Sequence, residues 1–429
     1  MRRVRARSGT TGAASFGGSR LVSPGVLVGS GLTSFTRAQA GNISATALAG
    51  NGTTWSEVAA DAPRFHDADQ GLLIEGERTN SLRNPRFNGG TSGVVGSGGV
   101  APTNMSITTA LGGTASVTLT TGVTESGLSC IDMAYSGTPT AGTYNLIFYD
   151  NNTGVPAASG EVWHVAQFVK LQAGTLSGVT GGTISHMMQF VGGSTSGAGA
   201  FTPTGSAIGG QRYTTTFTAG AGTTAARPGL RAVFDGTAIS FTLRIAAPQV
   251  ATSISFNSSP ILNPVSASNA ASVRGVDNLT GAVSTLFPSG VGTVLAKVLI
   301  PQNAPSGLDQ TIFQIDDGTA DNRVRVRNVA AGATIVAGKV VSTTPTDATS
   351  LGSMTAGTAF KVGLSFDGTN IYGNFNGGTT QSITGGIAGL TTLRIGASTS
   401  GHALFGRIVY FDVMPYAVPD LAASTTGLP

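Results

Sequence analysis

One cysteine, Cys130, stands in 429 residues. An internal disulfide and a thiolate metal cluster are therefore excluded, and export to an oxidising compartment gains no support. Charge is also scarce: Asp, Glu, Lys and Arg make up 10% of the chain, against about 25% in ordinary globular proteins. No run approaches the roughly 18 uninterrupted apolar residues of a membrane-spanning helix. The positive N-terminus is not followed by the apolar stretch of about 7–15 residues that a signal peptide needs. Aromatic residues are 7%, with two Trp, so aromatic stacking is not a strong theme. Long helical patterns are missing too. No window of about 12 residues carries an i, i+3, i+4, i+7 apolar stripe free of Gly or Thr.

Glycine, at 63 residues, is about twice its usual share of roughly 7%. Short β-branched and aromatic runs fill the space between the turns, which separates this chain from disordered ones. The formal charge of +4 comes largely from one arm. Residues 1–20 hold Arg2, Arg3, Arg5, Arg7 and Arg20 and no acid; the rest has 19 basic and 20 acidic residues, a net of −1. Such an arm is either a solvated terminus or a docking element for an acidic surface; no specific nucleic acid is implied.

Alternating runs recur at 115–121, 143–150, 162–171, 212–219, 229–235 and 239–245, punctuated by Gly, Asn, Ser and Pro. A second set occupies 291–300, 310–316, 323–329, 360–367, 370–377, 391–397 and 406–414. Many short strands with turn signals predict an all-β fold of antiparallel sandwiches. The polar, Pro-containing stretch between the sets reads as a linker. The expected organisation is an extended segment 1–84, a sandwich 85–262, a linker 263–282 and a sandwich 283–429. Residues 1–60 have few large apolar side chains and are expected to order against neighbouring chains.

Charge concentrates in PRFHDADQGLLIEGERTNSLRNPRF, residues 63–87. Hydrolytic carboxylates need defined separations of roughly 5–10 Å in a cleft, and no polarising partner accompanies Asp67, Asp69 or Glu75. The alternative is mutual pairing of Arg64, Glu75, Glu77 and Arg78 through charge-assisted hydrogen bonds. Leu72, Leu73 and Ile74 would anchor it, each worth about 1.5–3 kcal/mol if fully covered. A structural junction, with Phe65 and Asn80 beside these residues, is the expected role.

The same stretch, with Phe35, Arg37, Ala45, Thr46 and Gly52 upstream, resembles a motif of structural proteins of tailed bacteriophages and phage-like particles: F-x-R, A-T, a Gly turn, P-R-F, G-L-L-I-E and R-T-N. Residues 159–174 with 241–261 resemble a phage version of a carbohydrate-binding jelly roll, with Val250 where an acid is usual. Residues 311–327 and 360–413 resemble a concanavalin-like, laminin-G-type sandwich. The resemblance implies a peripheral virion protein, a tail fibre or head spike, displayed on the virion surface and made in the bacterial cytoplasm. It implies partners among other virion proteins through the N-terminal segment, host-surface polysaccharide as ligand, and an oligomer, a trimer first.

No site for catalysis emerges. The four His lie outside metalloprotease spacing, and Gly-x-Ser-x-Gly, Walker and Rossmann motifs are missing in a helical context. No cofactor is expected, and the chain is expected not to be an enzyme. DDGTADN, 316–322, reads as a hairpin turn, with Asp316, Asp317 and Asp321 as the calcium alternative. In 162–171, alternation puts Trp163, Val165, Val169 and Leu171 on a core face. The opposite face carries His164, Phe168 and Lys170. If the neighbouring strands share that sheet, Asn145, Tyr149, His164, Lys170 and Gln189 would line one glycan-binding surface. The alternatives are a capsule or lipopolysaccharide depolymerase, against which the lack of a 20–50-residue repeat argues, and an architectural spacer that binds no glycan.

Overall fold

The structure is a computed structural model that describes residues 19–28, 32–39, 44–49, 51–151, 154–193, 195–252, 259–263 and 270–429. It is all-β, built of almost wholly antiparallel sheets, with two short α-helices, Val283–Leu286 and Ala422–Thr426, and two 3-10 turns, Thr180–Gly182 and Ile208–Gly210, among the described residues. Two compact units emerge, residues 35–278 and residues 1–34 with 279–429. The second unit is thus discontinuous in sequence.

In the 35–278 unit two sheets enclose one core. The first runs in the order Gly98–Gly99, Gly93–Val95, Ser116–Glu125, Leu128–Gly137, Ile239–Thr252, Val162–Thr175, Arg212–Thr218. The second runs Ser106–Ile107, Gly142–Phe148, Ala225–Phe234, Ile184–Val191, Thr195–Phe201. Period-2 alternation drives their inner faces together. Leu119, Met133, Trp163, Val165, Val169 and Leu243 of the first sheet meet Leu146, Met188, Phe190, Leu230 and Phe234 of the second. Tyr135 stacks on Phe241 across the register pair, with centroids 5.0 Å apart. Trp163 is therefore packing, as its alternation predicts.

Strand Ile239–Thr252 alternates only to Ile245; from Ala246 to Ala251 it is buried on both faces. A second apolar cluster explains this. Trp55, Ile208 and Leu262 pack against Leu128, Cys130, Phe168, Ala246 and Ala247 on the outer face of the first sheet. Trp55 belongs to a small sheet, Ile261–Leu262, Ser44–Leu48, Trp55–Val58. The described part of the N-terminal segment thus orders against its own chain, where a neighbouring chain was expected to order it. Gly209 makes the close approach possible, since a Cβ there would overlap the Thr53 carbonyl oxygen.

The other unit is a second pair of sheets. Ser19–Ser23 pairs with Gly406–Met414, followed by Gly292–Leu299, Ala359–Phe366, Asn370–Phe375 and Gln381–Thr384. Facing it are Thr344–Ser353, Thr334–Val341, Arg323–Asn328, Gln310–Asp316 and Thr392–Ile395. Phe313 meets Phe411 edge-on at 5.7 Å between the two sheets. The stretch read as linker differs from that reading: Ser272–Ala282 is a strand with near-perfect alternation. Its buried positions carry Ser272, Arg274, Asp277 and two glycines, while Val273 and Val276 are only half-buried, so the usual apolar-inward signal is missing. Residues 264–269 lie outside the described ones.

A polar triad crosses the first core. Tyr149 donates to Gln167 Oε1, and Gln167 Nε2 donates to His186 Nδ1 at 3.1 Å. Burial pushes the His186 imidazole down to about 3. Its folded value lies below the unfolded value of about 6.5, so the unfolded state takes up the proton first. Stability is then complete above pH 6.5 and falls with pH toward 3, by roughly 2 kcal/mol at pH 5 from this residue. Thermal melts from pH 7 to 5 should show a falling Tm, and His186→Gln should flatten the slope. Equal slopes in both proteins would count against this origin.

Candidate functional site

The charged stretch of residues 63–87 folds into a buried ionic cluster within the 35–278 unit. Phe65–His66 and Gly71–Ile74 form a hairpin. Its turn uses the polar side chains: Asp67 Oδ1 accepts from the Ala68 amide at 2.8 Å, and Asp69 Oδ1 from Gly71 at 3.0 Å. Asp67 has φ of 65°, a conformation that Asp tolerates better than most residues. Leu72, Leu73 and Ile74 are buried, while Phe65 is half-buried. The hairpin carries Arg64 and Glu75 into the interior.

Arg64 Nη1 lies 2.7 Å from Glu75 Oε2, and its Nη2 pairs with Asp277. Arg274 Nη1 reaches Glu75 at 2.9 Å, and Arg37 Nη1 reaches Asp277 Oδ1 at 3.2 Å. Ser259 adds its amide at 2.8 Å and its hydroxyl at 2.6 Å to Glu75. Burial pushes the Glu75 carboxyl up, but Arg274, Arg64 and the Ser259 hydrogen bonds outweigh it and hold the group well below the usual carboxylate range. Arg274 is lowered to about 10 by burial. Every charge here is paired, which is how a buried charge is tolerated. Arg78 is buried beside this group, on a strand that pairs Arg78 with Arg274 and Asn80 with Ser272. Glu77, expected in the pairing, is exposed.

Asn80 extends the junction to the sandwich. Its Nδ2 donates to the Pro248 carbonyl at 3.2 Å and the Ile261 carbonyl at 3.0 Å, and its Oδ1 accepts from the Val250 amide at 3.1 Å. Arg83 pairs with Asp150, and Arg86 Nη1 with Glu57 at 2.6 Å. Sequence reasoning missed Arg274, Asp277 and Ser259. They sit about 200 positions downstream, in or near a stretch whose composition resembles a linker; the lone Arg–Asp pair in polar surroundings was the available signal.

The predicted glycan surface is not brought together. His164 and Lys170 lie on the outer face of the first sheet, whereas Asn145 and Gln189 lie on the outer face of the second, near Arg231 and Arg227 in register. Tyr149 is fully buried in the core. Lys170 Nζ pairs with Glu125 at 2.9 Å, which also takes Arg244 at 2.5 Å. Burial, followed by the charges of Arg78 and Arg212, pushes His164 down to about 4. Alternation assigns a face but not a sheet, and that is why these residues separate.

The remaining candidates resolve simply. Asp316 is buried and bound by Arg394 Nε at 2.8 Å and the Gly318 amide at 2.9 Å. Asp317 is occupied by the Thr319 amide and hydroxyl and by Asn322. Asp321 is exposed on the same hairpin turn. Among the described residues no group of three or more His, Cys, Asp or Glu is placed to hold a metal ion. Burial pushes the Cys130 thiol up to about 11, far from a nucleophile at neutral pH. Arg2, Arg3, Arg5 and Arg7 lie outside the described residues.

A polar hollow of about 340 Å³ opens in the same unit, lined by Thr53, Thr204, Ser206, Gln211, Arg212 and Tyr213 among others. A hollow of about 510 Å³ in the other unit is lined by Val283, Phe366, Ile387, Leu390 and several glycines.

No protein-family model and no curated protein matches the sequence. Solved structures with some likeness include the CBM40 of Ruminococcus gnavus IT-sialidase bound to α2,3-sialyllactose, at 15% identity over 32% of this chain and 82% of that one, with a TM-score of 0.26. Mouse laminin α1 domains LG4–5 align at 12% identity over 64% and 84%, with a TM-score of 0.22. The CBM22 tandem of Paenibacillus barcinonensis Xyn10C aligns at 11% over 78% and 96%, with a TM-score of 0.26. Likenesses this low establish neither a shared family nor a shared ligand.

Both Trp residues, Trp55 and Trp163, belong to the 35–278 unit, so their fluorescence reports its unfolding. Asp277→Asn strips Arg37 and Arg64 of a buried counter-charge and should cost about 3–5 kcal/mol in denaturant titrations. Asp67→Asn, at the turn, should cost about 1 kcal/mol or less. Similar losses in the two variants would refute a dominant role for the cluster.

Proposed function

We propose that this chain is a peripheral structural protein of a tailed-phage-type particle, adhering through its β-sandwich units to host-surface polysaccharide. One observation carries the reading. Arg37, Arg64, Glu75, Arg78 and Asn80, which belong to the motif resembling phage structural proteins, meet in or beside one buried junction. They form a folding element, as a recurring attachment motif would, and are not scattered surface matches. Two sandwich units that carry polar side chains on the uncovered parts of their outer faces are suited to contact with saccharides, whose recognition rests on placed polar groups and apolar planes. In this reading the acts are binding and display; Glu75, Asp277, Glu125 and Asp132 are each held by arginine, which suits structural pairing better than acid–base work. The basic arm, residues 1–20, docks on other virion proteins, and the assembled form is a homo-oligomer, a trimer first.

The full chain applied to an array of bacterial surface polysaccharides should bind without releasing reducing ends. Release would favour a depolymerase; no binding to any polysaccharide would favour a spacer. Deleting residues 2–15 should abolish incorporation into particles, read by immunogold labelling, and unchanged incorporation would refute the docking role of the arm.

A further inference from the structure

The second sheet of the 35–278 unit has a one-sided charge. Its strands, Ser106–Ile107, Gly142–Phe148, Val155–Pro156, Ile184–Val191, Thr195–Phe201 and Ala225–Phe234, hold no Asp and no Glu, and Arg227 and Arg231 are the only Lys or Arg among them. In Ala225–Phe234 the positions Ala226, Leu230, Ala232 and Phe234 pack in the core. Arg227, Gly229 and Arg231 therefore point the other way. Both arginines are half-buried. Neither makes a hydrogen bond or an ion pair with another described residue, and Arg227 Nε is buried without a partner. The first sheet differs, since Glu125 and Asp132 hold Lys170 and Arg244 there. A half-desolvated guanidinium with no counter-charge favours an anion brought from outside.

The ground between the two arginines is low and apolar. They stand on one strand with their Cα atoms about 13 Å apart, at roughly 3.3 Å per residue. Gly229 lies midway with no side chain, and a Cβ there would overlap the Ile147 carbonyl oxygen. In register on either side of Gly229 are Phe148, half-buried, and Met187, buried although it faces away from the core. Asn145 pairs with Arg231, and Gln189 with Arg227. Directly opposed residues of neighbouring strands share one face of a sheet. That face therefore brings together two cations, an apolar floor and two side-chain amides.

We propose that this face binds an acidic polysaccharide, with sugar carboxylates on Arg227 and Arg231 and a ring over the floor at Gly229. The planar guanidinium fork matches a carboxylate. The apolar side of the ring lies against Phe148 and Met187, and Asn145 and Gln189 meet its hydroxyls. Anchors this far apart suit a chain that carries acid groups along its length. The inference rests on the polysaccharide-adhesion reading and adds the face and the charge class.

The full chain should be titrated calorimetrically with a glucuronic-acid-containing oligosaccharide, with the same oligosaccharide after carboxyl reduction, and with polyglutamate. Reduction should weaken binding about tenfold or more, and so should Arg227→Gln combined with Arg231→Gln, the scale of losing charge-assisted hydrogen bonds. Added salt should weaken binding of the acidic form. Thermal melts should show the double variant folded, since neither arginine holds another described residue in place. Unchanged affinity in that variant would overturn the location, and equal affinity for the reduced form would overturn the charge class. Polyglutamate bound as tightly as the oligosaccharide would overturn saccharide recognition at this face. Binding to neutral polysaccharides alone would overturn this inference but leave adhesion standing. Binding to no polysaccharide would overturn both.

Discussion

Two carboxylates held among three arginines, out of reach of water, set the terms on which residues 35–278 fold. Arg64 bridges Glu75 and Asp277, with Arg274 and Arg37 on the flanks. The desolvation cost of such a group can match its Coulombic gain, so it is a weak source of net stability. Its effect is selective. A compact arrangement that brings Arg64 inside without Glu75 and Asp277 leaves a buried charge uncompensated. The hairpin, the Arg78–Asn80 strand and Ser272–Ala282 therefore share one solution.

That junction also decides what surface the sandwich has left. An isolated two-sheet sandwich would show the outer face of its first sheet to solvent. Here Trp55, Ile208 and Leu262 bury part of that face, and Trp55 meets Phe168 of the sheet edge-on at 5.6 Å. The polar hollow lies at the margin of this cover, where Thr53 approaches the 204–213 loop. The segment that organises the fold thus also lines this hollow.

The strands were legible because alternation is local. Gln310–Asp316 and Gly406–Met414 match their predicted limits, and Trp163 faces the core as its position implies. The charge pairing was half legible: Arg64 and Glu75 are 11 residues apart, while Asp277 lies 213 from Arg64. No local pattern specifies a partner at that distance. The predicted surface failed for a related reason, since Asn145 and Lys170 both sit on outward faces but belong to different sheets. Strand Ser272–Ala282 was hidden by its own polarity, and the covered outer face by the assumption that one sheet has one buried side.

The order of the chain has a consequence for its birth. Ser19–Ser23 pairs with Gly406–Met414, so one strand must wait for a partner made more than 380 residues later. The 35–278 unit can close its ionic junction once Asp277 has emerged; the other unit cannot complete its sheet until Gly406–Met414 has followed. Loop-closure entropy grows slowly with length, but contacts this far apart are slow to form and leave unpaired edges exposed meanwhile. Nascent chains would thus pass through a period with the inserted unit folded and the enclosing one open, which is when a chaperone or a second nascent copy has its opportunity.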